Sequence, residues 1–297
     1  MKILLFGRDG QLGTHLNQIL LSEIVPQGIE LSSYGLKDLN LCDFDRLRKV
    51  INDEKPDLII NAAAHTAVDK AESEQELAAQ VNAEAPAVMA KAAAALNAGL
   101  IHFSTDYVFD GNTKRPYTEQ DQTHPESVYG RTKLDGENAV LAYCKNSLVL
   151  RTSWVYSMHG QNFLRTMLRL AAERDEISVV GDQFGAPTTT RALADASLKL
   201  VQYYIVHGEF SDAVGGVYHM TCGGETSWYG FASAIIAASE FSDTRVVEIT
   251  TADYPTAAKR PAYSVLSNSK LFDTFGIRLP DWETALSDCM LESDQLS

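Results

Sequence analysis

Positive charge is scarce in this 297-residue chain: 25 lysines and arginines stand against 39 aspartates and glutamates, for a net charge of −14 at pH 7. With a pI near 4.9 no basic stripe exists to track a phosphate backbone, which excludes a nucleic-acid-binding reading. An anionic substrate has to be met by a local group of arginines or lysines working against the global field. Cysteine is sparse as well. Cys42, Cys144, Cys222 and Cys289 lie far apart with no C-x-x-C pair, which argues against both a zinc site and a disulfide framework and leaves Cys144 and Cys289 as packing residues. No apolar run approaches the ~20 residues needed to span a bilayer. The opening MKILLFG is broken by glycine before it forms a signal-peptide core. A reduced, cytoplasmic compartment is therefore expected. Repeats and low-complexity segments are also lacking.

What is present is ordinary globular composition, 45% hydrophobic and 22% charged, enough for one large α/β unit or a domain with a smaller companion. Lys2 to Phe6 reads as a compact apolar strand. It runs into Gly7-Arg8-Asp9-Gly10-Gln11-Leu12-Gly13 and then a helical pattern with apolar Leu12, Leu16, Ile19 and Leu20. Glycines 7, 10 and 13 at a strand-to-helix junction suit a tight turn, close backbone approach to a pyrophosphate, and phosphate on a helix N-terminus. The second strand, Glu30 to Ser33, ends on Ser32 and Ser33, where an NAD-binding site carries an acid for the ribose hydroxyls. No carboxylate there opposes a 2′-phosphate and no arginine waits at that point, so NADH and NADPH both stay open, with a lean to NADPH or dual use. Asp43 and Phe44 form an Asp-aromatic pair suited to the adenine, while Asp43 equally suits the N-cap of a helix over 44–52.

Asp57 to Asn61 reads as a third strand, followed by Ala62-Ala63-Ala64-His65-Thr66. Small side chains there let the backbone pass close to a flat ligand such as the nicotinamide ribose. His65 reads as a positional or surface residue rather than a base. Residues 72–82 and 83–97 read as two helices, the second so rich in alanine that it should pack closely on a sheet. Asn82 lies between them, as a brace for the helix that carries Tyr129 or as a surface cap.

The stretch STDYVFDGNTKRPYTEQDQTHPESVYGRTK carries the chemistry. Leu100 to Ser104 reads as a buried strand that delivers Thr105 and Asp106 to its C-terminal edge. Tyr129 and Lys133 are four residues apart and share a helix face, with Cβ atoms roughly 5–6 Å apart. Free tyrosine has a pKa near ~10, and a neighbouring ammonium favours the phenolate. With the Thr105 hydroxyl on the same oxygen, the three residues make a proton donor for a carbonyl or a base for an alcohol. Leu148 to Thr152 is a fifth strand. Strands alternating with helices predict a doubly wound, Rossmann-type parallel sheet, with a smaller α/β substrate-binding domain after it. The boundary falls at residue 155, giving units 1–155 and 156–297, with a helix over 191–206 that returns to the first.

These runs, namely GRDGQLG, NAAAHTAVDKAE, STDYVFDG, VYGRTKLDGE, LRTSWVY, GDQFGAPT, GGVYHMTCGGETSWYGFA and RPAYSVLSN, together resemble the extended short-chain dehydrogenase/reductases. Within them the chain is similar over nearly its whole length to the reductases of dTDP-4-dehydrorhamnose. That resemblance implies NADPH or NADH as cofactor and a nucleotide sugar as substrate, reduced at its C4 keto group with a proton from Tyr129. The product would supply rhamnose for cell-surface polysaccharide. The resemblance places Gly10, Gln11, Leu12, Asp43, Phe44, Ala64, His65, Thr66, Tyr129 and Lys133 on the cofactor. It places Asp106 and Trp154 on the substrate. Arg260, a planar cationic fork, is the candidate for the diphosphate, with a solvated surface arginine as the competing reading; Trp154 likewise reads as site or as core. Magnesium-bridged dimers occur in the family, but His15 and Arg191 stand at two of the matching carboxylate positions and Glu292 alone cannot hold the ion. No metal and a monomer or weak homodimer follow. Two other readings stay open on the same scaffold. One is a nucleotide-sugar epimerase or dehydratase. The other is a non-catalytic regulatory subunit like the beta subunit of methionine adenosyltransferase.

Overall fold

The structure is a computed structural model and describes residues 1–294. The first half runs β1 (Lys2–Phe6), α1 (Gln11–Glu23), β2 (Glu30–Tyr34), α2 (Phe44–Glu54) and β3 (Leu58–Asn61). It continues with α3 (Val68–Ala71), α4 (Gln75–Ala79), a π-helical turn Gln80–Glu84 and α5 (Ala85–Leu96). β4 (Gly99–Thr105), α6 (Val128–Tyr143) and β5 (Ser147–Thr152) close it. Beyond lie β6 (Val155–Tyr156), α7 (Phe163–Glu173), β7 (Glu176–Val180), β8 (Phe184–Gly185), β9 (Thr188–Thr189) and α8 (Thr190–His207). Then come β10 (Gly216–His219), β11 (Thr226–Ser227), α9 (Trp228–Ala237), β12 (Arg245–Ile249), α10 (Ser269–Phe275) and α11 (Trp282–Asp294).

Six strands form one sheet in the order β2-β1-β3-β4-β5-β10, every pair parallel. Both faces are covered, so the strands are runs of aliphatic residues with no polar alternation. Ile3, Leu5, Leu58, Ile60, Ile101 and Phe103 point to the face under α1 and α8. Leu4, Phe6, Ile59, Leu100 and Val149 point to the face that receives buried residues of α2, α5 and α6. The chain leaves β1 in one direction to β2 and returns to β3 on the other side. That reversal opens a crevice beyond the strand C-termini, where doubly wound folds bind ligands.

Several expectations are corrected here. β10, expected in the smaller part, pairs with β5 through Gly216↔Leu148 to His219↔Arg151 and extends the main sheet. α8 packs on α1, as the returning helix should. The run RPAYSVLSNSKL, residues 260–271, reads as loop from the sequence, but its last three residues begin α10. The two helices expected over 72–97 are one path with a π turn in it. Pro86 has no N–H to give to the Asn82 carbonyl, and that carbonyl lies instead against Gly136 of α6, where a Cβ would sit 2.1 Å from it. No helix among the described residues is long and apolar enough to cross a membrane.

Candidate active site

At the reversal point the backbones of two loops nearly touch. Gly7 has φ +88°, and a Cβ on it would come within 2.6 Å of the Ala63 nitrogen. Gly13, one turn into α1, lies under the same loop, where a Cβ would meet the Gly7 oxygen at 1.9 Å. The glycines therefore let β1, α1 and the loop after β3 converge. α1 opens into the crevice with Gly10 at its N-cap, no side-chain cap bond and no acidic residue in its first turn, a free set of N–H donors suited to a pyrophosphate. Gln11 spans the crevice floor: its Oε1 accepts from Ser157 at 3.1 Å and from Asn162 Nδ2 at 2.7 Å, tying the glycine loop to the second half.

The resulting cleft has a volume of about 780 Å³ and is lined by Gly7, Gly10, Gln11 and Leu12 at one end and by Thr105, Asp106, Tyr129 and Lys133 further along. Ala62, Ala63, Ala64, His65 and Thr66 form its wall, and Trp154 and Arg260 also face it. Gly13, Asp43 and Phe44 do not line it. Gly13 lies beneath the loop, Asp43 caps α2 by accepting from the Arg46 N–H at 3.1 Å, and Phe44 packs with the α2–α5 cluster. Of the two readings for Asp43, the structure shows the helix cap. The cleft there is lined instead by Leu36, Leu39, Asn40, Leu41 and Cys42. Leu36 there is 79% exposed.

The end of β2 also departs from expectation. The strand continues to Tyr34, and an arginine does reach this point, from the glycine loop. Arg8 donates to the Ser33 carbonyl at 2.8 Å and to Asp38 Oδ2 at 2.6 Å, while the Gly35 N–H donates to the same oxygen at 2.8 Å. Asp9 packs so close to Gly35 that a Cβ would lie 1.8 Å from its Oδ2.

Two elements bring the proton-handling groups together. β4 ends in buried Thr105, whose hydroxyl donates to Asp106 Oδ1 at 3.0 Å and accepts from the Tyr107 N–H at 3.2 Å. Ser127 caps α6 by accepting from the Gly130 N–H at 3.1 Å, and this starts the helix so that Tyr129 and Lys133 share one face. The Tyr129 ring meets Tyr107 edge-on at 5.6 Å. Asn82 in the π turn braces the arrangement: it donates to Thr132 Oγ1 at 3.2 Å and exchanges bonds of 2.8 and 3.1 Å with the His65 backbone. Of the two readings for Asn82, the brace is the one the structure shows. The His65 ring meets Glu74 at 3.0 Å, a structural contact rather than a base aimed at a substrate.

The electrostatics differ from the simple expectation that Lys133 depresses the phenol. Burial pushes Tyr129 up to about 12, with the Thr105 hydroxyl opposing and Asp106 adding to the rise. Lys133 is 2% exposed, and its ammonium donates to the Phe103 carbonyl at 2.6 Å. Burial lowers it to about 8, and Glu137 opposes that shift. Burial likewise raises Asp106 to about 6 against the nearby Ser264 and Thr105 hydroxyls. Its Oδ2 is buried with no hydrogen-bond partner.

Asp106 therefore costs stability. Between the ordinary value of 3.8 and about 6 the folded state keeps a proton that the unfolded chain has lost. Stability falls as pH rises through that window, and the full cost remains above it. At ~1.4 kcal/mol per unit the upper bound is about 3 kcal/mol. We expect Asp106→Asn to raise the melting temperature by several degrees at pH 8, the gain shrinking as pH is brought toward 4. Thermal unfolding of both proteins across that range checks it, and an equal gain at both ends contradicts it.

Trp154 has φ +46°, and its ring stacks on Trp228 with centroids 3.5 Å apart and planes 5° apart. One indole face expected for a sugar is thus occupied, and Trp228, which also lines the cleft, is a residue the sequence reading missed. Arg260 reaches the cleft but pairs with Asp69 at 2.9 Å, and its Nε is buried without a partner. It is therefore neither free nor simply solvated. His15 bonds Thr190 at 2.8 Å, and Arg191 lines a separate depression with Lys199 and Arg278. The side chain of Glu292 lies outside the described residues. No group of three or more His, Cys, Asp or Glu among the described residues is arranged to hold a metal ion.

Comparison with known proteins matches this geometry to one family. Residues 1–295 match the family described as RmlD substrate binding domain. The dTDP-4-dehydrorhamnose reductase of Burkholderia thailandensis is 44% identical over 98% of both chains, and that of Escherichia coli K12 is 42% identical with the same coverage. Among solved structures, the Clostridium acetobutylicum dTDP-4-dehydrorhamnose reductase superposes with a TM-score of 0.91 at 39% identity, covering 99% of this chain and 100% of its own. The Bacillus anthracis dTDP-4-dehydrorhamnose reductase in complex with NADP superposes with a TM-score of 0.86 at 33% identity, covering 98% and 99%. Fold, site and full-length similarity agree: this chain belongs to the RmlD family of dTDP-4-dehydrorhamnose reductases.

Proposed function

We propose that the protein reduces the C4 ketone of dTDP-4-dehydro-L-rhamnose to an alcohol with NADPH or NADH. The observation that carries this is the placement of Thr105, Tyr129 and Lys133 in the same cleft as the glycine loop and the open N-terminus of α1. The cradle fits a dinucleotide: Gly7 and Gly13 let β1, α1 and the loop after β3 converge, the uncapped N-terminus of α1 faces the cleft for a pyrophosphate, and the alanine wall leaves room for a flat ring. A bound reduced nicotinamide supplies the hydride. Tyr129 holds the proton that the ketone oxygen takes as the new C–H bond forms. Its raised pKa keeps it protonated through the working range. The phenolate left behind is stabilised by the Thr105 hydroxyl, and solvent entering the cleft returns the proton. Positioned proton transfer of this kind is worth about 10²–10⁴-fold. Position 107 holds a tyrosine rather than the second carboxylate of a dehydratase, which supports reduction over elimination.

The remaining expectations enter as parts of this proposal. Residues 1–155 form the cofactor half, rejoined by α8 and β10, and later segments select the sugar. Arg260, freed from Asp69, meets the diphosphate. The protein works in the cytoplasm as a monomer or weak homodimer.

The test is loss of reduced-nicotinamide absorbance with the purified protein and dTDP-4-dehydro-L-rhamnose. Consumption dependent on the sugar supports the reading, and none with either cofactor, despite cofactor binding, refutes it. The clamp at β2 adds a second expectation. A 2′-phosphate next to Arg8 competes with Asp38 for the guanidinium. Asp38→Asn removes that competitor, so the ratio of NADPH to NADH affinity should rise about five- to tenfold. Binding titrations with both cofactors measure it, and an unchanged ratio contradicts it.

A further inference from the structure

Beneath the catalytic helix lies a charged pair that the proposed reaction does not use. Glu137 is one turn beyond Lys133 on α6 and is 1% exposed. Arg151 of β5 grips it through Nε at 2.9 and 3.1 Å and Nη2 at 2.6 Å. Ser104 of β4, the residue before Thr105, donates to its Oε1 at 2.5 Å. One turn earlier the Lys133 ammonium donates to the Phe103 carbonyl of the same strand. Two consecutive turns of α6 are therefore pinned to two consecutive residues of β4, the Lys133 turn adjoining that of Tyr129 and Ser104 adjoining Thr105. We propose that Glu137 is a positioning residue: clamped by Arg151 and Ser104, it holds α6 on β4 and β5 so that Tyr129 stands opposite Thr105, with its carboxylate one helical turn from Lys133.

The surroundings favour this assignment. The charged and titratable groups around the Glu137–Arg151 pair are Lys133 on α6, His102 from β4, His219 from β10 and Lys270 from α10. Burial holds His102 well below its ordinary range and lowers His219 to about 3, so both are neutral. Glu119 caps the His219 N–H at 2.8 Å, and its charge acts on Lys270. Among these, Glu137 is the group that opposes the effect of burial on Lys133. A buried ion pair is weak evidence of a stabilising role, which leaves the placement beside Lys133 to be explained. Arg151 Nη1 is itself buried without a partner, so the pair is not built for stability alone.

This inference rests on the proposed reaction, and its test separates the two. Glu137→Gln leaves Arg151 positive beside Lys133. The Lys133 titration, followed by the ¹³Cε shift of labelled lysine and assigned with Lys133→Met, should move down by about one pH unit. The alkaline limb of kcat should move with it, so that kcat falls about tenfold at pH 8 and much less at pH 6, with KM little changed. Should Glu137→Gln not fold, Glu137→Leu with Arg151→Met removes both buried charges at similar volume, and the Lys133 midpoint is expected below wild type there too. A folded variant of either kind with a wild-type Lys133 midpoint overturns the proposal. The lysine titration reads out even if the wild type turns over no sugar, so a failure of the reaction assignment is distinguishable from a failure of this one.

Discussion

Tyr129→Phe loses about 10²–10⁴-fold in kcat while NADPH binding stays within about twofold of wild type. The variant removes one oxygen. The ring keeps its edge contact with Tyr107 and its packing against the small cluster of Ala71, Ala78 and Val128, so the helix, the Lys133 bond to Phe103 and the alanine wall are left in place. Because burial raises the phenol to about 12, removing it also relieves no charged group and creates none. The loss should therefore fall on kcat rather than on KM, as expected when an interaction made in the transition state is deleted. Steady-state turnover and a parallel cofactor titration check this together. Wild-type rates in the variant refute Tyr129 as the proton donor. Lost cofactor binding assigns the tyrosine to the cofactor alone.

Gly13→Ala weakens cofactor binding about a hundredfold and destabilises the fold, whereas Gly10→Ala does neither to a comparable degree. A methyl at Gly13 sits 1.9 Å from the Gly7 oxygen, and one at Gly10 sits 3.3 Å from the same atom. The first has no relief. The Gly7 carbonyl accepts from the Gly10 N–H at 2.9 Å, and Gly7 at φ +88° is itself pressed against Ala62 and Ala63. Forcing extra volume into such a contact costs about 1–3 kcal/mol or more. Here it also moves the loop off the N-terminus of α1, so cofactor affinity should drop by about a hundredfold, equivalent to ~2.7 kcal/mol. Thermal unfolding and cofactor titration of the two variants give the contrast. Equal behaviour at positions 10 and 13 contradicts it.

The strands were legible because a parallel sheet buried on both faces demands unbroken aliphatic runs, and LLF, LII, LIHF and LVL supply them between turn signals. The proton-handling set was legible because helix spacing is local: four residues separate Tyr129 from Lys133 whatever the rest of the chain does. What failed was placement that depends on distant residues. Arg8 was assigned to a phosphate turn, and its side chain travels to β2, 25 positions away. Trp228 reads as the first residue of a helix until α9 lays it on Trp154. Asp43 caps α2 and Phe44 packs beside it, a placement compatible with the adenine role that the resemblance implies. Pairing of β10 with β5 leaves no local mark in either strand.

That last pairing bears on the order in which the molecule is made. Leu148, Val149 and Leu150 of β5 are fully buried, and their outer neighbour arrives only with residues 216–219. Until that segment has been synthesised, the first five strands end in an apolar edge with unpaired backbone groups, the kind of edge that recruits other chains. The first five strands are thus in place by Thr152, but the sheet is closed only when the chain comes back to it.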